Sequence, residues 1–233
     1  MTRLGIVTGM AFEAAILDRQ LKKSAPDAQI PDILIAGADA ARARLAAHEL
    51  IDHGATALMS FGIAGALDPA LAPGDLIIPT RIIGPDGETV VTDAAWAARL
   101  TGLVERRCRV INADLAGSDG TVATAAAKHE MFRATGAVAV DMESLAVAQA
   151  ARDRGIMFCA VRAIADPAQR EIPGWVPGAI STKGKTRPMS VLSALFGRSG
   201  QIGNLAQLAR DSQAAKACLG RVALLGAPDF GLV

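Results

Sequence analysis

Short apolar runs rich in Val and Ile alternate along the chain with Ala-rich segments in which apolar residues recur at helical spacing. Such alternation is typical of sheets whose strands are joined by crossover helices. The pattern predicts strands at 3–8, 32–36, 57–61, 75–83, 108–113, 136–140 and 156–164, and helices at 11–22, 40–53, 93–104, 124–134 and 143–153. We therefore expect an α/β fold, a three-layer sandwich with a mixed, mostly parallel sheet and helices on both faces.

The segment 167–188 differs from the rest of the chain, because proline and glycine interrupt it and it has neither a helical nor a strand period. Long loops in compact domains are usually functional or disordered, so we expect either a lid over a binding site or a surface excursion. A helical pattern with Met189, Leu192 and Phe196 on one face follows, and a last helix is predicted at 202–219. No internal repeat divides the sequence, and we expect residues 1–233 to form a single domain.

The composition, with 51% hydrophobic and 20% charged residues among 233, is ordinary for a globular enzyme. No apolar stretch approaches the roughly 18 residues that a membrane span requires, and the first residues lack a small-residue cleavage pattern. We therefore expect a cytoplasmic protein without a transmembrane segment. The net charge of +1, the lack of long basic runs and an aromatic content of 3% argue against a nucleic-acid partner.

The cysteines and histidines do not show the spacing of a metal site. Cys108, Cys159 and Cys218 lie far apart in apolar surroundings, which indicates reduced structural thiols. The three histidines have no ligand spacing with one another or with cysteine. We expect neither a metal nor another cofactor.

Three carboxylates follow apolar segments that are widely separated in the sequence. Glu13 comes shortly after the first predicted strand, Glu143 after the strand at 136–140, and Asp166 after the strand at 156–164. Ligands of open α/β sheets bind in the crevice outside the carboxyl ends of the strands, so we expect the three acids to converge there. The alternative is that each acid caps a helix or a turn.

The segments around these acids resemble motifs of one enzyme superfamily. In chain order they are Ser60-Phe61-Gly62-Ile63-Ala64-Gly65-Ala66-Leu67, Gly74-Asp75, Val140-Asp141-Met142-Glu143 and Val161-Arg162-Ala163-Ile164-Ala165-Asp166. They are similar to motifs of the purine nucleoside phosphorylase and methylthioadenosine/adenosylhomocysteine nucleosidase superfamily. The resemblance extends from Leu4 to about Asp166.

The resemblance implies that the protein cleaves the bond between a purine and ribose. Asp166 matches the family's acid, which protonates N7 of the leaving purine and needs a pKa well above the reference value of about 3.9. Glu143 matches the ionised carboxylate that accepts hydrogen bonds from the ribose 2′ and 3′ hydroxyls, and Met142 would pack beneath the sugar. Further substrate contacts are expected from Asp141, Gly62, Ile63, Ala64, Thr121 and Val122.

Glu13 bears on the acceptor of the ribosyl group. In the nucleosidases a glutamate at this position, just after the first strand, activates water. Many phosphorylases of the superfamily instead carry arginine near this point and before the glycine loop, where this chain has Met59 and Ser60, and this favours hydrolysis. Arg42 and Arg44 are either a fork for phosphate as co-substrate or solvated charges on a helix face.

Three departures from the family's motifs bear on the substrate. Ile63 and Ala165 replace serines of the family, and 117–122 lacks the phenylalanine that stacks on adenine in the methylthioadenosine enzymes. Together with Asp68-Pro69 and the tail at 208–215, they make the chain similar to the hopanoid-associated phosphorylase group. That resemblance implies adenosylhopane or another adenine nucleoside with a bulky apolar 5′ substituent.

The sequence leaves several alternatives open. They are a methylthioadenosine/adenosylhomocysteine nucleosidase, a general purine nucleoside phosphorylase, and a catalytically silent nucleoside-binding protein. The apolar helix face within 189–196 fits a lipid channel, contact with a membrane surface or ordinary core packing. The superfamily resemblance also implies a homo-oligomer.

Overall fold

The computed structural model describes residues 2–24, 30–172 and 202–232, which form ten strands and six helices. The strands are β1 (Leu4–Thr8), β2 (Asp32–Ile35), β3 (Ala57–Ala66), β4 (Leu76–Ile77), β5 (Arg81–Ile83), β6 (Thr89–Val91), β7 (Val110–Ile111), β8 (Leu115–Gly117), β9 (Ala139–Asp141) and β10 (Met157–Asp166). The helices are α1 (Ala11–Ser24), α2 (Ala40–Asp52), α3 (Ala94–Val104), α4 (Ala125–Thr135), α5 (Ser144–Asp153) and α6 (Ile202–Gly226).

One sheet contains all ten strands. β3 and β10 run parallel to each other at its centre, and their register begins with Ala57 opposite Met157. β1 lies parallel to β3, and β2 lies parallel to β1. β9 joins β3 and β4 joins β10 in the antiparallel sense. The sheet is therefore mixed and mostly parallel, as the alternation of elements predicts.

Helices cover both faces of the sheet, because successive side chains of a strand point to opposite sides. One core lies between the sheet and α1, α3 and α6, and it includes Phe61, Trp96 and Leu219. The second core lies between the sheet and α2 and α5, and it includes Leu58 and Val147. The expected three-layer arrangement is confirmed.

Short polar side chains set where three of the helices begin. Asp39, Asp93 and Thr124 each accept a hydrogen bond from the backbone N–H three residues later, which caps α2, α3 and α4. α4 ends at Gly136, whose φ of 70° lies in the left-handed region that glycine adopts without strain. These caps fix the limits of α4, a helix that contributes a side chain to the site described below.

β3 changes its neighbour along one edge. β1 pairs with residues 57–60 of β3, and β9 pairs with Gly65 and Ala66, while β10 occupies the opposite edge. Between these pairings, residues 61–64 have no strand partner on this edge among the described residues. The ends of β1 and β9 face each other across this gap, so backbone N–H groups of β3 are available there to side chains.

Several predicted strands differ from the observed ones. The strand predicted at 75–83 is wrong as a single element: β4 and β5 are separate, because Pro79 lacks the N–H that a continuous ladder needs. The strand predicted at 57–61 continues to Ala66, since Gly62 and Gly65 lie within the sheet. The strand predicted at 108–113 is reduced to two residues, and β6 and β8 are too short for the pattern to reveal.

The predicted lid at 167–188 is described only as far as Ile172, whose N–H donates to the carbonyl oxygen of Ala123 at 2.8 Å. The helix expected to carry Met189, Leu192 and Phe196 lies outside the described residues. The last helix, α6, continues to Gly226, beyond the predicted end at 219. The role of 167–188 as a lid stays a prediction.

Candidate active site

Glu13 lies in the first turn of α1 and is 1% exposed. Its Oε2 accepts a hydrogen bond from Met10 N at 2.8 Å, the reach of a capping box back to the start of the helix. Its Oε1 accepts from Ile63 N at 2.9 Å, in the stretch of β3 that has no strand partner on that edge. The capping alternative therefore holds for one oxygen of Glu13, and the other oxygen joins α1 to the centre of the sheet.

Arg162, in β10, is the fully buried cation at the centre of the site. Its Nη2 lies 2.6 Å from Asp141 Oδ2 and 3.6 Å from Glu143 Oε2. Its Nε donates to Ser144 Oγ at 3.1 Å, and Nη2 also donates to Ser60 Oγ. We did not single out Arg162 from the sequence, although a charged residue inside an apolar run is the signal that would have found it.

Asp141 and Glu143, at the start of α5, differ in whether their side chains cap the helix. Asp141 Oδ2 accepts from Ser144 N at 3.1 Å and from Ser144 Oγ at 2.6 Å, so Asp141 caps the helix. Glu143 occupies the cap position but makes no side-chain cap bond, so the capping alternative is wrong for Glu143. A Cβ at Gly9 would lie 2.5 Å from Glu143 Oε1, which shows how closely the carboxyl approaches the end of β1.

The site concentrates carboxyl groups that are costly to ionise. Burial raises the pKa of Glu13 to about 7, against the opposing pull of Arg162 and of backbone N–H groups. Burial likewise raises the pKa of Glu143 to about 8, with Arg162 lowering it and the neighbouring Asp141 and Glu13 raising it. Acids with a pKa in this range exchange protons near neutral pH, which is a property of general acids and bases.

Gly62 is required by the crowding of these charged groups. A Cβ at this position of β3 would overlap Arg162 Nη1 and would lie 2.7 Å from Glu13 Oε1. The backbone of β3 thus approaches both side chains as closely as a residue without a side chain permits. The glycine of the motif is explained by contacts within the protein itself.

Asp166 is the last residue of β10 and is aimed by a β-bulge. Ile164 lies opposite Ala64, but Asp166 lies opposite Gly65, so Ala165 is the extra residue. A bulge of this kind re-aims the side chain that follows it. A Cβ at Gly65 would come within 3.1 Å of Asp166 Oδ2, so this glycine also leaves room for a carboxyl.

Lys128 of α4 is the direct partner of Asp166. Its buried ammonium donates to Asp166 Oδ2. Burial raises the pKa of Asp166, and Lys128 is the strongest influence that lowers it. This contact could not be predicted from the sequence, because Lys128 is one of several polar residues on a helix, and their spacing would ordinarily leave them in solvent.

The remaining residues expected at the substrate surround the same part of the sheet. Ala64 is buried, and Ile63 packs on the core beneath α1 and α6. Thr121 Oγ1 lies 3.9 Å from Met142 Sδ, so the segment after β8 touches the start of α5. Val122 packs against a small apolar cluster that includes Val140.

The two arginines that were expected to be either a phosphate fork or solvated charges on a helix face contact side chains on the helix surface. Arg42 pairs with Asp39 at 3.5 Å. Arg44 donates a hydrogen bond to the side-chain oxygen of Gln149, and its Nη1 lies 3.8 Å from Asp153 Oδ2; both partners are on α5. Neither of these contacts involves the carboxyl cluster around Arg162.

The described ranges contain no group of three or more His, Cys, Asp and Glu side chains that could hold a metal ion. No helix in the same ranges is long and apolar enough to cross a membrane. All three cysteines are buried and free of disulfides.

Solved structures share this fold over almost the whole chain. The 5′-methylthioadenosine/S-adenosylhomocysteine nucleosidase from Neisseria meningitidis is 17% identical with a TM-score of 0.72, covering 97% of this chain and 98% of that chain. The futalosine hydrolase of Helicobacter pylori strain 26695 is 17% identical with a TM-score of 0.68, covering 95% and 97%. The S-adenosylhomocysteine nucleosidase from Streptococcus pyogenes is 19% identical with a TM-score of 0.67, covering 96% of both chains.

Among curated proteins, the sequence comparison found no match. The family model described as Phosphorylase superfamily matches residues 33–196, which is more than half of the chain. The match includes most of β2, all of β3 to β10 and every acid discussed above except Glu13. It confirms the expectation of an enzyme from the superfamily that the motifs resemble. The chain belongs to the Phosphorylase superfamily.

Proposed function

We propose that this protein hydrolyses the N-glycosidic bond of an adenine nucleoside. The observation that carries the proposal is the buried cluster of Glu13, Glu143 and Arg162, which lies where β3 exchanges β1 for β9 along one edge. The positive charge of Arg162 lowers the pKa of both glutamates, against the effect of burial. Asp166 lies farther along the same strand pair, opposite Gly65, three residues beyond Gly62. At roughly 3.3 Å per residue this is about 10 Å along β3, a separation that a nucleoside spans.

Each acid has a role in the reaction. The Asp166 carboxyl donates its proton to N7 of adenine as the C1′–N9 bond breaks and its electron pair goes to the purine. Burial raises the pKa of Glu143 to about 8, so the free carboxyl resists ionisation at neutral pH. The positive charge that develops on the ribosyl group favours the ionised form, which accepts hydrogen bonds from the 2′ and 3′ hydroxyls. Glu13 takes a proton from water as the water oxygen bonds to C1′. Met142 packs beneath the sugar.

Five further residues, on β3 and in the segment after β8, are proposed to contact the substrate. Gly62, Ile63 and Ala64 supply the backbone of β3 beside the ribose, and Thr121 with Val122 approaches from the segment that contacts Met142. Asp141 acts indirectly, because its carboxyl is engaged by Arg162 and Ser144 and so fixes the start of α5. The reaction needs no metal and no other cofactor.

Water is favoured over phosphate as the acceptor. A base with a pKa near 7 is well matched to removing a proton from water at neutral pH, and Glu13 has this property. Arg42 pairs with Asp39, which caps α2, and Arg44 contacts Gln149 and Asp153 of α5. The structural neighbours include a futalosine hydrolase and two nucleosidases, and these activities agree with a hydrolytic reaction.

The proposed substrate carries a bulky apolar 5′ substituent, with adenosylhopane as the example. The support is the resemblance to the hopanoid-associated group and the lack of a stacking phenylalanine in 117–122. The proposal includes a cytoplasmic homo-oligomer of single-domain subunits.

A panel of nucleosides tests this proposal. Adenosine, methylthioadenosine and adenosylhopane are each incubated with the protein, with and without phosphate, and free adenine is quantified. We expect adenine release without phosphate and a strong preference for adenosylhopane. Efficient cleavage of methylthioadenosine alone would contradict the proposal of a lipid-bearing substrate, but it would agree with the proposed cleavage of an N-glycosidic bond. If no nucleoside releases adenine, the result would contradict the proposed reaction and favour a catalytically silent nucleoside-binding protein.

A further inference from the structure

The proposed general acid is held by charged groups that lie outside the Arg162 cluster. The ammonium of the fully buried Lys128 donates to Asp166 Oδ2, to the carbonyl oxygen of Pro167 at 3.1 Å and to that of Arg170 at 3.0 Å. An ammonium has three N–H donors, and each has one acceptor here. Lys128 therefore ties the carboxyl of Asp166 to the turn that follows β10.

A second ion pair extends this group to the last helix. Arg170 Nη2 lies 3.1 Å from Asp211 Oδ2 on α6, where the two side chains are 24% and 6% exposed. Asp211 Oδ1 also accepts from Gln207 Nε2 at 3.0 Å. Thus α4, the turn after β10 and α6 bring two cations and one anion to the neighbourhood of Asp166.

We propose that Lys128, Arg170 and Asp211 form a positioning network that orients the Asp166 carboxyl and sets how readily it gives up its proton. The proposal rests on the proposed function, because that function makes Asp166 the general acid. Lys128 holds Oδ2 and leaves Oδ1 for the purine. When the proton passes to N7, the carboxylate that forms is stabilised by the ammonium next to it.

The charges of the network act on Asp166 in opposite directions. Burial raises the pKa of the Asp166 carboxyl, Lys128 and Arg170 lower it, and Asp211 raises it. Removing either cation should therefore make Asp166 a weaker acid, and removing the Asp211 charge should make it a stronger acid. Damage to packing alone gives no reason for opposite effects from the two partners of one ion pair.

Carbon-13 NMR of aspartate-labelled protein measures this directly, with the Asp166 signal assigned from Asp166→Asn. We expect the pKa of Asp166 to rise in Arg170→Gln and to fall in Asp211→Asn. In Lys128→Met it should rise by about 1 or more. An unchanged pKa, or a shift of the same sign in Arg170→Gln and Asp211→Asn, would overturn the network. These two variants decide the matter even if Lys128→Met does not fold.

The pH profile of kcat provides the functional readout. The limb on which activity falls as Asp166 ionises should move to higher pH in Arg170→Gln and to lower pH in Asp211→Asn. A merely structural role would lower activity or stability without moving this limb in two directions. If the wild-type protein releases no adenine, the proposed function fails, whereas the NMR titration still tests the network.

Discussion

Arg162 shows at the scale of single residues how this site is stabilised and what its burial costs. A buried guanidinium needs anionic partners, and Asp141 lies within 2.6 Å of it. The charge of Arg162 also lowers the pKa of Glu143 and Glu13, but desolvation outweighs it and raises the pKa of both. One cation thus supports more carboxyl groups than it can fully neutralise, which leaves acids that hold protons near neutral pH.

Replacing Asp166 by Asn should lower kcat by roughly 10²–10⁴-fold, because the amide cannot donate the proton that general-acid catalysis requires. Binding of adenine should persist, since the amide keeps the shape of the carboxyl. Steady-state kinetics and a binding titration check the two effects. Asp18→Asn, on the exposed face of α1, is the matched control and should keep wild-type turnover. Near wild-type turnover in Asp166→Asn would contradict the assignment.

The raised pKa of Glu13 also predicts how stability depends on pH. Below about pH 4.5, Glu13 is protonated in both the folded and the unfolded chain, and its full contribution to the free energy of unfolding is present. As the pH rises to about 7, the unfolded chain loses its proton first, so the free energy of unfolding falls. For this one group the fall is on the order of 3 kcal/mol.

Urea unfolding between pH 5 and pH 8 measures this fall. The decrease should be shallower in Glu13→Gln, because the amide does not titrate. Glu130→Gln, on the exposed side of α4, serves as control and should follow the wild-type slope. Parallel slopes for Glu13→Gln and wild type would show that burial does not raise this pKa.

At the scale of elements, β3 positions the site by exchanging β1 for β9 along one edge. The order of strands and helices could be predicted, because period and propensity are local properties of the sequence. The exchange of partners could not, since it depends on pairings between distant segments. The bulge at Ala165 was equally hidden, because it appears only when β10 is aligned with β3.

Gly62→Ala tests the close approach of β3 to the charged cluster. The added Cβ would overlap Arg162 and crowd Glu13, so we expect a loss of about 1–3 kcal/mol in stability together with most of the activity. Gly102→Ala is the matched control, because a Cβ at Gly102 of α3 meets nothing within 4 Å. There the free energy of unfolding should rise by up to about 1 kcal/mol, since alanine favours helices. Equal effects in the two variants, measured by urea unfolding and turnover, would refute the crowding.

At the scale of the whole molecule, the proposed reaction requires Glu13 ionised and Asp166 protonated at the same pH. The sequence indicated the acids because each follows a strand. β1 and β10 run parallel to β3, whereas β9 runs antiparallel to it, so Glu143 approaches β3 from the opposite direction. The sequence did not indicate Lys128 or Arg162 as their partners, since both owe their burial to tertiary packing. The core that stabilises the fold is thus also the cause of the raised pKa values at the site.

The most direct test is adenine release from an adenine nucleoside in phosphate-free buffer by wild type and by Glu13→Gln. Chromatography quantifies adenine, and an assay for reducing ends quantifies the sugar. We expect wild type to give equal amounts of adenine and a sugar with a free reducing end, and Glu13→Gln to give almost none. Release that requires phosphate and yields a sugar phosphorylated at C1, or no release at all, would contradict hydrolysis at this site.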